Sequence, residues 1–200
     1  MRIEVVSRPS CPDGRTHRLA RSLARAFPPG PWRLSIVDAY LLDGVPELSR
    51  DELALVFSDP VAQEALFDEP AAAAKAAGDW SLLIEVTSRP GVTDPVALTA
   101  REALGHSLGA SIPREAVVQT AVQYLVSVPA GRDGLAGRDG PAGRDGPAGR
   151  DGPAGRDRLA RFFHNPLVQA ADVITRAEWD AGKRPAVLYP HRVPESRLEV

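Results

Sequence analysis

The sequence predicts an α+β fold: two tandem β-α-β-α-β lobes related by pseudo-symmetry, with helices over one face of a mainly antiparallel sheet. Three observations predict it. Blocks of sequence recur in the same order in the two halves of the chain. Each half carries the hydrophobic periods of strand, helix, strand, helix and strand. A strict Gly-X-Y run splits the second half without disturbing that order.

The repeat begins with Ile3-Glu4-Val5-Val6-Ser7-Arg8-Pro9, which returns as Ile84-Glu85-Val86-Thr87-Ser88-Arg89-Pro90 at an offset of 81. The same offset pairs Asp13 with Asp94, Leu23 with Leu104 and Phe27 with Leu108. Tyr40-Leu41-Leu42 then matches Tyr124-Leu125-Val126 at an offset of 84. Asp59-Pro60-Val61-Ala62-Gln63 matches Asn165-Pro166-Leu167-Val168-Gln169 at an offset of 106.

The elements follow in order. Ile3 and Val5, like Ile84 and Val86, alternate with polar neighbours, the pattern of a half-buried strand. Asp13 and Asp94 stand where a helix starts, and Pro95 suits a first helical position. Leu19, Leu23 and Phe27 in one copy, and Val96, Ala100, Leu104 and Leu108 in the other, recur every four residues as one apolar helical stripe. A second strand is expected over Arg33 to Leu42 and Ala116 to Val126, both β-branched and Tyr-containing. Ser49-Arg50-Asp51-Glu52 reads as a capping box before Leu53, Leu55, Val56 and Phe57, with the helix stopping at Ser58 ahead of Asp59-Pro60. In the second copy Leu159, Ala160, Phe162 and Phe163 precede Asn165-Pro166. A last short strand is expected to end near Phe67 and near Ile174. The resulting organisation is a first repeat over 1–68, a joint over 69–79, a second repeat over 80–175 and a tail over 176–200.

The jump in offset from 84 to 106 comes from residues 131–157, where glycine occupies every third position through nine triplets. Strict Gly-X-Y is the collagen signature, because only glycine fits at the axis of a triple helix. Only three of the nine triplets contain proline, and the five arginines and five aspartates cancel in charge. A long insertion in a surface loop costs little, since closure entropy grows only logarithmically with length. The run is therefore expected to be a disordered, polyproline-like loop, with a trimeric triple helix as the alternative.

Composition bounds the function. With 44% hydrophobic and 25% charged residues, the 200-residue chain has the make-up of a soluble globular protein. A net charge of −2 offers nothing to attract nucleic acid or an anionic membrane. Cys11 is the only cysteine, which rules out an intrachain disulfide or a thiolate zinc cage. No apolar run approaches the roughly eighteen residues of a membrane span, and no signal-like h-region is present near Met1. A cytoplasmic location is expected.

Asp79-Trp80-Ser81-Leu82-Leu83-Ile84-Glu85-Val86, Arg89-Pro90-Gly91-Val92-Thr93-Asp94 and Thr99-Ala100-Arg101-Glu102-Ala103 carry a family resemblance, as do Gln123-Tyr124-Leu125, Asn165-Pro166-Leu167-Val168-Gln169 and Arg176-Ala177-Glu178-Trp179-Asp180. Val37-Asp38-Ala39-Tyr40 and Asp59-Pro60-Val61-Ala62-Gln63-Glu64 fit the matching places in the first copy. From Ile3 to about Gly182, outside the Gly-X-Y run, the chain resembles the N-terminal domain of phosphoribosylformylglycinamidine synthase, a tandem of two PurS-like repeats. The resemblance implies a pseudo-dimer of two such repeats. It also implies a non-catalytic structural role in de novo purine biosynthesis, within an ATP-dependent ligase that takes its amide nitrogen from glutamine. The implied partners are the synthetase and glutaminase subunits of the same complex. The chain departs from the pattern at Ser10-Cys11-Pro12, where the second copy has Gly91-Val92-Thr93, and at the abrupt joint Pro28-Pro29-Gly30-Pro31.

No catalytic, cofactor-binding or metal-ligating residue is assigned. Cys11-Pro12 between a strand and a helix suggests a thioredoxin-like redox site, but no second cysteine stands at the redox spacing. His17, His106, His164 and His191 have no metal-ligand spacing. Gly182-Lys183 fails as a phosphate loop, because Ala177 replaces the required glycine and Arg184 the magnesium-binding hydroxyl. Arg8 and Arg89 are equivalent arginines at strand ends, suited to a partner's carboxylate or phosphate or simply to solvent. Trp80 and Trp179 are expected to anchor the edges of the core. Two rival functions remain beside the assembly role: a scaffold trimerised by the Gly-X-Y run, and a redox protein using Cys11.

Overall fold

A computed structural model describes residues 1–28, 31–74, 78–127 and 153–186. In chain order its first half holds β1 (Arg2–Ser7), α1 (Gly14–Ala26), β2 (Arg33–Asp43), α2 (Arg50–Phe57) and β3 (Gln63–Phe67), followed by a 3-10 turn at Ala71–Ala73. Its second half holds β4 (Leu82–Ser88), α3 (Pro95–Leu108), β5 (Val117–Ser127), α4 (Pro153–Phe163), β6 (Gln169–Thr175) and α5 (Arg176–Asp180). The strands form one open sheet in the order β3-β1-β2-β5-β4-β6, every neighbouring pair antiparallel.

The local chemistry sets the element ends. Asp13 caps α1 by accepting from Arg15 N at 2.7 Å, and Asp94 caps α3 by accepting from Ala97 N at 3.0 Å. Ser49 and Glu52 form the reciprocal capping box of α2, and Ser58 turns to extended backbone. Gly109 closes α3 at φ 62°, a left-handed position that a side chain would strain.

The pairing follows the sequence repeat. Ile3 faces Tyr40 in β1–β2, and Ile84 faces Tyr124 in β4–β5. Val5 faces Ala65, and the equivalent Val86 faces Ala171. The loops into β3 and β6 are built alike: Gln63 Oε1 accepts from Asp59 N at 2.9 Å, and Gln169 Oε1 accepts from Asn165 N at 2.8 Å. At the centre of the sheet β2 pairs with β5 along all eleven residues. There the pairs Ile36–Tyr124 and Tyr40–Thr120 exchange under the offset of 84, and Asp38 lies opposite its own counterpart, Val122.

Four helices cover one face of the sheet in two clusters. Leu23 of α1 packs with Leu159, Ala160 and Phe163 of α4 over Leu34, Ile36, Ile84 and Val86. Leu53 and Phe57 of α2 pack with Ala100 and Leu104 of α3 over Ile3, Val5 and Leu42. Each cluster therefore draws one helix from each half of the chain.

Several expectations need correcting. The strands are not half-buried with one face in solvent. Val6, Val37, Leu83, Leu125 and Ile174 on the second face are covered by Ala71, Ala72, Trp80 and Trp179. The tail expected at 176–200 opens with α5, whose Trp179 is buried, while 187–200 lie outside the described residues. Of the Gly-X-Y run 131–157, residues 131–152 lie outside the described residues, whereas 153–157 belong to the first turns of α4 rather than to a loop. On α3 it is Ala97, not Val96, that joins Ala100 and Leu104 in the core; Val96 is 53% exposed. The second strands end one residue later than expected, at Asp43 and Ser127.

Candidate functional site

Two polar clusters interrupt these apolar layers, one on each face of the sheet. Under the helices, Arg15 near the start of α1 reaches down to the middle of β2. Its Nε donates to Asp13 at 2.8 Å, and its Nη1 and Nη2 donate to the two oxygens of Asp38 at 3.0 and 2.6 Å. The bidentate geometry is the strong form of an arginine–carboxylate pair. Burial works against the Asp13 charge, but the side-chain and backbone hydrogen bonds from Arg15 hold its pKa below the ordinary value. In the second half, Asp94 caps α3 and also accepts from Thr120 Oγ1 at 2.7 Å. Tyr40 and Tyr124, stacked on Phe57 and Phe163, flank the seam, and burial raises both phenol pKa values.

The second cluster lies on the opposite face, where β1, β4 and β5 run through the middle of the sheet. Glu4 and Glu85 occupy equivalent positions of the repeat, and each is 2% exposed. Arg2 bridges them, its Nε donating to Glu4 Oε1 at 2.6 Å and its Nη2 to Glu85 Oε2. Gln123 of β5 donates from Nε2 to Glu4 Oε1 at 3.2 Å and to Glu85 Oε2 at 2.8 Å. Ala71 N completes the shell by donating to Glu4 Oε2 at 2.6 Å. Burial opposes the Arg2 charge, yet the hydrogen bonds and attraction of Glu85 and Glu4 raise its pKa above the ordinary arginine value.

A hollow of about 280 Å³ opens beside this network, walled by Arg2, Glu4, Gln123 and Asp68 and by Trp179 and Arg184 from the chain beyond β6. Trp80 and Trp179 meet edge to face at 5.8 Å, and Trp80 Nε1 donates to Ala72 O at 2.9 Å. These indoles anchor the second face. The Arg184 guanidinium stacks on Trp179 at 3.8 Å.

The helix carrying Trp179 is secured by its own capping box. Thr175 Oγ1 accepts from Glu178 N at 3.2 Å, and Glu178 Oε2 accepts from Thr175 N at 2.8 Å. The Thr175 backbone bond, then the bond from Lys183, pull the Glu178 pKa from its ordinary 4.5 down to about 2. A carboxyl depressed by folding stabilises fully above its unfolded pKa and loses that contribution as pH falls through the folded one. The stability difference between wild type and Glu178→Gln should therefore shrink as pH is lowered from 4.5 towards 2. Urea midpoints read by tryptophan fluorescence measure it; a difference that stays constant over that window would refute the assignment.

The residues singled out in sequence are dispersed. Cys11 is exposed, in a turn closed by its N–H donating to Arg8 O at 2.9 Å. His17 lies on α1 and His106 in the last turn of α3; His164 Nδ1 lies 2.8 Å from Ala160 O, and His191 is outside the described residues. Arg89 Nε donates to Pro166 O and Gln169 O, both at 3.0 Å, clamping the loop into β6. Arg8 N meets Ala62 O at the matching loop. Gly182-Lys183 follows α5, with Lys183 Nζ on Glu178 at 3.0 Å, so it is a helix terminus and not a phosphate cradle. Among the described residues no group of three or more His, Cys, Asp or Glu side chains is arranged to hold a metal ion, and no helix is long and apolar enough to cross a membrane.

The sequence reading missed the Arg2–Glu4–Glu85–Gln123 cluster. The available signal was that Glu4 and Glu85 recur at the same place in the repeat. No protein-family model matches the chain, and no curated protein matches it significantly.

Proposed function

We propose that this chain is a non-catalytic structural and assembly component of the phosphoribosylformylglycinamidine synthase type, two PurS-like repeats joined as a pseudo-dimer. In that role it bridges synthetase and glutaminase subunits in the cytoplasm, in the glutamine-dependent, ATP-driven ligase step of de novo purine biosynthesis. The observation that carries the reading is the mirrored strand order β3-β1-β2-β5-β4-β6 combined with pairing that follows the sequence offsets. A small subunit that dimerises through its second strand, once duplicated and fused, gives that order and that register. The Gly-X-Y run reads as an insertion into the second repeat between β5 and α4.

The test mixes the purified chain with synthetase and glutaminase subunits from the same genome. Co-elution as one species is expected on size exclusion, and the chain alone should neither hydrolyse ATP nor release ammonia from glutamine. Failure to co-elute, or sustained ATP turnover by the isolated chain, would remove the proposal. A sedimentation mass of three chains would instead favour a scaffold trimerised through the Gly-X-Y run.

A further inference from the structure

The open sheet ends in two edges, β3 and β6, and the two are not finished alike. Arg8 N donates to Ala62 O and Asp68 N to Arg2 O, both at 2.8 Å, so alternate residues from Ala62 to Asp68 bond to β1. The alternation of an antiparallel ladder then turns Gln63, Ala65 and Phe67 outward. In β6, Arg89 N on Val168 O and Arg176 N on Ser81 O, both at 2.9 Å, fix the same phase. There Gln169, Ala171, Val173 and Thr175 face outward.

The β6 edge is closed at both ends. Gln169 N donates to Asn165 O at 2.8 Å, and Gln169 O accepts from Arg89 Nε at 3.0 Å. Thr175 N is taken by Glu178 Oε2 at 2.8 Å, and α5 begins at the next residue. Ala171 and Val173 are left between a clamp and a helix. The β3 edge has no such clamp. Arg8, the counterpart of Arg89, is exposed, and its guanidinium has no partner among the described residues. Gln63 N is used by Asp59 O at 2.7 Å, but Gln63 O and both backbone groups of Ala65 and Phe67 stay open. Unpaired edge groups are a template for another strand, which is why proteins ordinarily block them.

The open stretch fits a second copy of itself. Asp68, at φ 57°, turns the chain out of the strand, and the Asp59 loop closes the other end, so the free segment is centred on Ala65. Laid antiparallel with Ala65 opposite Ala65, two copies pair Ala65 N with Ala65 O and Phe67 N with Gln63 O, each in both directions. The occupied Gln63 N stays out of the ladder. Glu64 then lies opposite Leu66. The neighbouring registers are disfavoured by like charges directly opposite one another: Gln63 against Ala65 sets Glu64 on Glu64, and Ala65 against Phe67 sets Glu64 on Asp68. The ends complement each other in charge. Arg8 stands beside the start of β3, while Glu69, exposed and without a partner among the described residues, stands just past its end. Antiparallel pairing brings each Arg8 towards the other copy's Glu69. Val61, 81% exposed in the loop before Gln63, comes to the same place.

We propose that β3 is a self-association edge, through which two copies of this chain join antiparallel over Gln63–Phe67 and extend the sheet across a two-fold axis at Ala65. Five residues a side fall well short of the roughly 20–30 of a standard interface, so the pairing is of the transient, concentration-dependent class. It leaves the β2–β5 seam untouched and does not depend on a synthetase or glutaminase partner.

The experiment follows the full 15N-labelled chain by amide hydrogen exchange and sedimentation equilibrium from micromolar to millimolar concentration. A rise towards the mass of two chains is expected, with the Ala65 and Phe67 amides becoming protected and those of Ala171 and Val173 staying fast. Ala65→Pro deletes only an outward N–H, a place where an edge strand tolerates proline, and should weaken association at least tenfold; Ala171→Pro should leave it unchanged. Arg8→Glu should weaken it too, and Arg8→Glu with Glu69→Arg should restore it. Should the proline variant not fold, the wild-type amide pattern and the charge swap decide. A mass of one chain at millimolar concentration, a mass of three, or two-chain association indifferent to Ala65→Pro would sink the proposal. Protection of Ala65 and Phe67 that appears only on adding synthetase would give the edge to that partner and sink it equally.

Discussion

Arg2→Met should cost about 3–5 kcal/mol of stability, the penalty of leaving buried charge without its partner. The size follows from what Arg2 does. Glu4 and Glu85 come from β1 and β4, one in each half of the sheet, each 2% exposed, and the guanidinium between them is their shared cation. Methionine keeps the length and much of the apolar stem, and the Arg2 backbone bond to Asp68 Oδ1 at 2.7 Å is retained. The loss therefore reports the charge rather than the packing. Adding Glu85→Gln removes one carboxylate and should return a substantial part of the stability, so the two substitutions must be strongly non-additive. Urea denaturation of the wild type, both single variants and the double variant forms the cycle. A cost under about 1 kcal/mol for Arg2→Met, in the range of an exposed pair, or simple additivity, would show that the network is not a buried charge cluster.

Residues 1–79 expressed alone should not fold as a monomer. Cutting there deprives β2 of β5 along all eleven of its residues, exposing the central strand of the sheet as a new edge. It also takes α4 from α1 and α3 from α2, opening both helical clusters at once. The fragment is expected either to lack a cooperative thermal transition or to associate through β2. Sedimentation equilibrium combined with circular dichroism melts tests this; a monomer melting cooperatively near the intact chain would contradict the shared-core account.

Much of the architecture was legible in sequence because local chemistry and repetition agreed. Asp94-Pro95, the Ser49–Glu52 box and the Asp59-Pro60 stop each fix an element end by a mechanism that tertiary packing does not override. What failed did so for physical reasons. Alternation of apolar and polar residues suggests one wet face, but Glu4 and Glu85 are polar and dry: beside the near neighbour Arg2, Glu4 is held by Ala71 and Gln123, and Glu85 is held by Arg2 from the far end of the repeat. Alternation reports which side chains share a face; it does not report what covers that face. Helix α5 falls within the expected tail although Thr175-Arg176-Ala177-Glu178 spells a capping box, because five residues are too few to show a period. In α4 the helix extends back over Pro153 to Asp157, where glycine and proline spacing argued for continued Gly-X-Y; proline is tolerated at a first helical position, and the apolar residues behind it carry the helix. The candidate site was the least legible part, since its atoms come from three strands and a 3-10 turn.

The central pairing of β2 with β5 has one further effect. Ala39 and Gln123 are counterparts at the offset of 84 and sit diagonally across that ladder, on either side of the Asp38–Val122 pair. Diagonal neighbours are within reach of long side chains. In an assembly of two identical chains, any residue there meets its own twin, so a glutamine would crowd a second glutamine and an alanine would leave the glutamates without an amide. A single covalent chain escapes the restriction: one side can grow while the other shrinks to make room. Gln123 can serve both glutamates because residue 39 is alanine, a division of labour that no strictly identical pair of chains could adopt.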